Sequence, residues 1–345
     1  MSLPTISLVF VLLGLFSVIA AANDTSSSYK RNILTNVGKS CIFGVEFVSI
    51  VLFTSNNVPE GQVVKIIESC DLFDPLNPVI FVTHGFIASA DTFNTSIFVK
   101  PLIENNYTIF VLDWSQASCY NDPAIINLLK YPFAEENTRK VGELLASFIK
   151  SLMKVCKVKL NDITLVGHSL GAHISGFAAK NLNNTGYGKP PLLIGIDPAK
   201  PLFQHKPCEY RFCNSDAKRV EALHTSGLGM YKSVGHLDLW FNNGLDQPTC
   251  DIVLPGTGAL NIGCSHSIGI YYLVNTLLPD CEYVAFPIPK DETLLEKVEF
   301  KCTPNETPAY IIVNNNLFDS NYNRTGDYCV IVSSKYPYCM YREQL

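Results

Sequence analysis

The run ITLVGHSLGAHISGFAA at residues 163–179 constrains its own folding more tightly than any other stretch of this chain. Apolar, β-branched residues lead into Gly167-His168-Ser169-Leu170-Gly171, and small residues continue beyond it at helical spacing. The pattern predicts a buried strand that turns at once into a helix, with Ser169 at the apex. So sharp a turn strains the backbone of its apex residue. Side chains two positions before and after would collide, and both positions are glycine. The turn lifts the Ser169 hydroxyl above the sheet edge, and the helix amides beneath it favour developing negative charge. Gly171, Ala172, Ser175, Gly176, Ala178 and Ala179 let that helix lie close to the sheet. These features fit a serine nucleophile; the competing reading is an ordinary glycine-bounded turn.

The surrounding chain alternates between the two periodicities. PVIFVTHGF (78–86) and YTIFVLDW (107–114) read as buried strands ending in loops, and ENTRKVGELLASFIKSLMKV (136–155) as a helix. DITLVG, a helix and PLLIGIDPA (191–199) follow, then RVEALHTS, HLDLWFN and a helix from about Ser265 to Leu278. The tail from Cys281 onward is cysteine-bearing and strand-like. Strands alternating with helices imply an α/β protein with a mostly parallel central sheet and helices on both faces.

Composition narrows the class. A chain of 345 residues that is 47% hydrophobic and 17% charged is globular. Its net charge of -5, with no Lys/Arg cluster, argues against a nucleic-acid partner. Residues 1–22 carry no charged side chain, include ISLVFVLLGLFSVIA and end in three alanines. They read as a signal peptide cleaved before Asn23, with a retained membrane anchor as the alternative, since a basic n-region is missing. All 12 cysteines lie beyond that point, and no C-x-x-C pair occurs, so a disulfide framework is expected. Short spacing nominates Cys208 with Cys213 and Cys250 with Cys264. Six N-x-[ST] sequons, at Asn23, Asn94, Asn106, Asn183, Asn305 and Asn323, agree with a secreted, extracellular protein.

A serine nucleophile needs a base, and the base needs an orienting acid. In a strand-serine-helix fold of this kind they follow in the order Ser, acid, His, which removes Asp113, His84, His168 and His173. Among His205, His224, His236 and His266, the last is favoured, at a loop-to-helix junction pinned by Cys264. His224 and His236 lie in or beside strand-like runs and read as structural. Asp197 follows an apolar strand and precedes two prolines that stiffen its loop. Asp216, Asp238, Asp246 and Asp251 remain open as alternatives on spacing alone, although Asp238, alternating with apolar neighbours in HLDLW, reads as a solvated or structural strand position. The amides of Phe86 and Leu170 are the candidate oxyanion donors, with Gly85 permitting the backbone to approach. No H-E-x-x-H or calcium-loop pattern is present, so no metal and no cofactor are expected.

FVTHGF, VLDW, GHSLGAHISGF, GIDPAKPLF, DAKRVEALHTS, VGHLDLWFNNGLDQPTC and CSHS occur in that order between about Cys41 and Tyr283. Together they resemble the pancreatic lipase superfamily. The resemblance implies an α/β-hydrolase fold and assigns the triad as Ser169, Asp197 and His266, with oxyanion donors Phe86 and Leu170. Within the superfamily the chain is most similar to secreted phospholipases A1, including insect venom enzymes. The stretch from HTS to GHLD is short, and the lid between Cys250 and Cys264 is only DIVLPGTGALNIG. Its Ile252, Val253, Leu254, Leu260 and Ile262 are candidate contacts with substrate or membrane. Residues 23–345 are expected to form a single domain without the C-terminal lipid-binding domain of pancreatic lipase, and no colipase partner is expected. The implied activity is hydrolysis of the sn-1 acyl ester of phospholipids at a membrane or micelle surface. A triacylglycerol lipase or galactolipase, and a silent lipid-binding protein like the yolk proteins of this superfamily, are the alternatives.

Overall fold

The computed structural model describes residues 41–65, 69–92, 98–120, 129–253, 258–288 and 310–339; at 43, 92, 251–253 and 258–260 it describes the backbone alone. Apolar strands of period 2 dominate it, and they assemble into one sheet. In chain order they are β1 (Ser49–Phe53), β2 (Gln62–Val63), β3 (Val79–Thr83), β4 (Thr108–Asp113), β5 (Ile163–His168), β6 (Leu192–Ile196), β7 (Arg219–His224), β8 (Leu237–Phe241), β9 (Tyr283–Pro287), β10 (Ile311–Val313) and β11 (Gly326–Val330). Their order in the sheet is β10-β9-β11-β8-β7-β6-β5-β3-β4-β1-β2. From β4 through β11 the neighbours pair in parallel, and antiparallel strands close both edges.

The parallel strands are apolar on both faces because each face is covered. Val79 and Phe81 of β3 point into one cluster with Phe110, Leu165 and Leu193. Ile80 and Val82 point into the other with Ile109, Val166 and Ile194. Over the first face lie α2 (Tyr131–Val155) and α3 (Leu170–Asn184), reached after the short α1 (Val99–Glu104). Val141, Leu145, Ile149 and Leu152 of α2 are buried there, whereas Val155 is exposed and ends the apolar stripe. The second face is covered by α5 (Gly258–Asn275), which follows α4 (Pro248–Val253) and buries Ile268, Tyr272 and Leu273. Helices on both faces of a mostly parallel sheet were the expectation, and the topology agrees.

Two details differ from it. The helix expected to begin at about Ser265 begins at Gly258 and ends at Asn275, not Leu278. GALNIGC holds no proline, and an interior glycine costs a helix only about 1 kcal/mol, so Gly263 did not break it. The N-terminal hairpin of β1 and β2 had no sequence-level expectation at all. The tail strands do not stand apart: β11 inserts beside β8, with β9 and β10 outside it.

Five disulfides staple the described residues: Cys41–Cys119, Cys70–Cys156, Cys208–Cys213, Cys250–Cys264 and Cys281–Cys339. Both short-range pairings from spacing are therefore present. Cys329 is also disulfide-bonded. No described cysteine is a free thiol. Alkylation of the native, unreduced protein is accordingly expected to add no mass to any of these cysteines. Peptide mapping that finds several of them alkylated would contradict the pairing.

Candidate active site

The site is built at the carboxyl ends of β3, β5, β6 and β7, where successive loops leave the sheet on one edge. Between β5 and α3 the chain makes the anticipated turn on Ser169, at φ 57° and ψ −122°. A non-glycine residue with positive φ in this geometry stores strain, and the surroundings enforce it. A Cβ on Gly167 would overlap the Gly171 carbonyl, and one on Gly171 would overlap the carbonyls of Thr83 and His84. The Ser169 N–H donates to the Ile196 carbonyl at 3.0 Å, and its carbonyl accepts from Ala172 N and Ala199 N at 3.1 and 3.3 Å. Helix, strand and apex are thus fixed against two neighbouring strands.

Asp197 lies directly after β6, fully buried, with φ 44°. Burying a carboxylate is costly unless its oxygens are satisfied, and here four donors converge on it. Oδ1 accepts from the N–H groups of Thr225 and Ser226 at 2.8 and 3.2 Å. Oδ2 accepts from the Ser226 hydroxyl and from His266 Nδ1, the latter at 2.6 Å. Gly229 packs so tightly on Oδ1 that any side chain there would overlap it.

His266 is 8% exposed and sits inside α5, not at the loop-to-helix junction expected from the sequence. Its Nδ1 is committed to Asp197, with the Ser226 oxygen 3.3 Å away. Its Nε2 has no hydrogen-bond partner among the described residues, so this is the ring nitrogen left open. Two devices hold α5 in place. The Cys250–Cys264 disulfide ties it to α4. Gln247, just before α4, donates its backbone N–H to Ser265 Oγ at 3.0 Å, while its side-chain amide donates to the carbonyls of Thr225 and Phe241.

The three histidines excluded by chain order are spent on scaffolding. His168 Nε2 donates to the His266 carbonyl at 2.9 Å, and the two rings lie 4.5 Å apart. Burial, reinforced by the neighbouring His266, pushes the His168 pKa down to about 3, so the ring is neutral. His173 accepts from Phe212 N–H and donates to the Ala199 carbonyl; burial depresses its pKa to about 3 as well. His84 accepts the Trp114 backbone N–H at 3.1 Å and donates through Nδ1 to the Gly85 carbonyl at 2.9 Å. The indole of Trp114 donates back to the His84 carbonyl. This brace fixes the His84-Gly85-Phe86 loop, and a Cβ on Gly85 would come within 2.8 Å of Ser169 Cβ. The Phe86 and Leu170 N–H groups both lack an acceptor among the described residues.

Of the alternatives left open by spacing, Asp238, Asp216 and His236 are engaged elsewhere, and the side chain of Asp251 lies outside the described residues. Asp238 is paired with His224 at 2.8 Å and is buried, so it is structural rather than solvated. Asp216 holds Lys180 at 2.6 Å. His236 accepts from Val220 N–H at 2.9 Å. Ser226 is the residue that sequence reasoning missed. Its only signal is a short polar side chain directly after an apolar strand, beside the expected site. Of the lid candidates, Ile262 is half-buried. The side chains of Ile252, Val253 and Leu260, and all of Leu254, lie outside the described residues.

A serine on a strained strand-helix turn and a histidine-carboxylate pair, carried on a mostly parallel sheet, define an α/β-hydrolase. The sequence profile of the Lipase family matches residues 20–338. The chain belongs to that family and is a carboxylic ester hydrolase. It is 37% identical over 284 residues to a phospholipase A1 of Dinoponera quadriceps, covering 81% of this chain and 72% of that one. With a phospholipase A1 of Vespa crabro the identity is 39% over 266 residues, covering 76% and 84%. With one of Solenopsis invicta it is 31% over 302 residues, covering 84% and 85%.

Two outcomes follow from this geometry. Ser226→Ala removes one donor to Asp197 and is expected to lower kcat on a soluble ester about tenfold, the loss from one charge-assisted hydrogen bond. An unchanged kcat would contradict a positioning role. The imidazoles of His168 and His173 are expected to stay neutral from about pH 8 to about pH 5, well below the ordinary histidine range. Nitrogen NMR shifts that move through a midpoint near pH 6.5 would contradict it.

Proposed function

We propose that the chain is a secreted phospholipase A1 that hydrolyses the sn-1 acyl ester of a glycerophospholipid, releasing a fatty acid and a lysophospholipid. The ester-hydrolase part is carried by one observation: the buried Asp197 fixes His266 Nδ1 at 2.6 Å and leaves Nε2 open, while Ser169 is held on its turn with its N–H on the carbonyl of Ile196, the residue before Asp197. The phospholipid part is supported by relatives that bear the name phospholipase A1 at 31–39% identity.

In this reading His266 Nε2 takes the Ser169 proton as the hydroxyl oxygen attacks the ester carbonyl. The resulting oxyanion is held by the amides of Phe86 and Leu170, a contribution of about 3 to 4 kcal/mol per donor. Asp197 steadies the imidazolium that forms, and His266 then protonates the departing lysophospholipid. Water repeats the sequence on the acyl-serine and frees the fatty acid. The rigidity of the Asp197 cage suits this role, because the base must swing a proton between two oxygens without itself moving.

Two further observations support the choice of substrate and compartment. Cys250 and Cys264 are only 14 positions apart, and the segment between them is drawn into α4 and α5, which leaves little chain for a long covering lid. Five disulfides and exposed sequons at Asn106, Asn183 and Asn323 favour an extracellular protein. Residues 1–22 serve as its signal peptide in this reading. Among the described residues no helix is long and apolar enough to cross a membrane.

Purified protein is expected to cleave position-labelled phosphatidylcholine at sn-1, with triolein turnover weak or absent under matched interface conditions. Ser169→Ala should lower that hydrolysis by several orders of magnitude while the fold persists. Triolein turnover exceeding phosphatidylcholine turnover would replace the reading with that of a triacylglycerol lipase. Near-normal activity in Ser169→Ala would remove Ser169 from the mechanism.

A further inference from the structure

Two segments run side by side past the site, residues 198–202 and 227–231. Ala199 N–H donates to the Ser169 carbonyl at 3.3 Å. One residue on, Lys200 N–H donates to the Leu228 carbonyl at 2.8 Å, and Met230 N–H donates back to that of Pro198 at 2.9 Å. The Lys200 side chain folds over the second segment. Its ammonium donates to the Tyr231 hydroxyl and lies 3.7 Å from the centroid of that ring. The same hydroxyl donates to the Gly227 carbonyl at 3.1 Å, which leaves its lone pairs for the ammonium. Gly227 adjoins Ser226, whose oxygen touches both Asp197 and His266. A short chain of contacts therefore joins this cation to the base of the site.

The environment of Lys200 differs from that of four other sheltered cations of the fold. Lys180 pairs with Asp216, Lys206 and Arg139 with Glu135, and Arg219 with Glu221, all within 3.0 Å. Lys200 is half-buried yet has no carboxylate within 4.0 Å among the described residues. One neutral oxygen and a ring face leave most of an ammonium's three donors unsatisfied by charge. The segment also borders the outside of the molecule. Leu202, two residues further, is 48% exposed and held at φ 64°. Between them, the Pro201 carbonyl accepts from Tyr131 OH at 3.2 Å, and the Tyr131 ring meets Phe86 edge-on at 5.1 Å. The segment that carries Lys200 thus reaches the loop of Phe86 through Pro201 and Tyr131.

We propose that the Lys200 ammonium, presented by Tyr231, is the subsite for the phosphate of the phospholipid whose ester is attacked at Ser169. The proposal rests on the phospholipase reading above and adds a basis for selectivity to it. In a glycerophospholipid the phosphodiester anion lies only a few covalent bonds from the sn-1 ester. An ammonium joined to the base through Tyr231, Gly227 and Ser226 would meet that anion with charge-assisted hydrogen bonds. A triacylglycerol carries nothing at that place to satisfy it, so the same cation discriminates against neutral lipid. Inorganic phosphate offers the same oxyanion chemistry without the lipid.

The test measures kcat/KM on dioctanoyl-phosphatidylcholine micelles and on p-nitrophenyl butyrate for the unaltered protein, Lys200→Gln, Lys200→Arg and Tyr231→Phe. In Lys200→Gln the phosphatidylcholine-to-butyrate ratio is expected to fall about tenfold or more, with Lys200→Arg recovering most of it and Tyr231→Phe intermediate. Inorganic phosphate serves as the second arm. Competition with the unaltered protein that disappears in Lys200→Gln assigns a subsite for phosphate from either source. A changed ratio without such competition assigns it to phosphate borne on lipid. A ratio unchanged in Lys200→Gln, or an equal fall on both substrates, overturns the proposal, since the residue is then either idle or merely structural. If the unaltered protein cleaves the butyrate ester but not phosphatidylcholine, the phospholipid reading itself fails, and the subsite with it.

Discussion

The turn at Ser169 is the constraint on which the rest depends. A side chain can stand at φ 57° only if everything around it makes other conformations worse. Here the carbonyls of Thr83 and His84 press on Gly171, and that of Gly171 presses on Gly167. The spacing between β3, β5 and α3 is therefore set by hydrogen-sized side chains. It is also why the parallel register matters, because Thr83 pairs with Gly167 and so brings the end of β3 level with the turn. His84, Gly85 and Phe86 are carried to the serine as a consequence of that pairing.

The second dependency is electrostatic. Asp197 sits in a fully buried position, and its four donors come from β7's exit loop and from α5. Three more histidines crowd the region, and a charge on His168, whose ring lies 4.5 Å from that of His266, would compete with it for that carboxylate. Two are kept neutral by burial, and the third offers a lone pair to a backbone N–H. Each uses both ring nitrogens or its shape to hold a loop: His84 the Phe86 loop, His168 the His266 carbonyl, His173 the segment at Ala199 and Phe212. The site has many imidazoles and one with an open nitrogen beside an acid.

What could be read from sequence was what is local. The elbow, the parallel strands and α2 follow from spacing and from glycines whose reason lies within five residues. Chain order placed Ser169, Asp197 and His266 in sequence, and alternation made Asp238 look structural, but only the resemblance to a family assigned Asp197 over it and the other acids. The fold separates them physically, by burying Asp238 against His224. Long-range consequences were not legible. The pairing of Cys41 with Cys119, or Cys281 with Cys339, depends on how the sheet brings distant loops together. Ser226 looked like the end of a strand, and only the adjacency of β6 and β7 puts its hydroxyl on Asp197. His266 was expected at a helix start because Gly263 and Cys264 resemble punctuation, whereas the helix runs through both.

Two serines are candidates to take the acyl group with the Asp197–His266 pair, Ser169 and Ser226. Ser226 Oγ is 3.3 Å from His266 Nδ1, on the side already committed to Asp197. Ser169 stands on the strained turn after β5. Treating the native protein with a fluorophosphonate ester, followed by peptide mapping, reports directly which oxygen is activated. One adduct per molecule is expected, on the peptide containing Ser169, with labelling lost in His266→Ala. An adduct on Ser226, or stoichiometric labelling that survives His266→Ala, would contradict it.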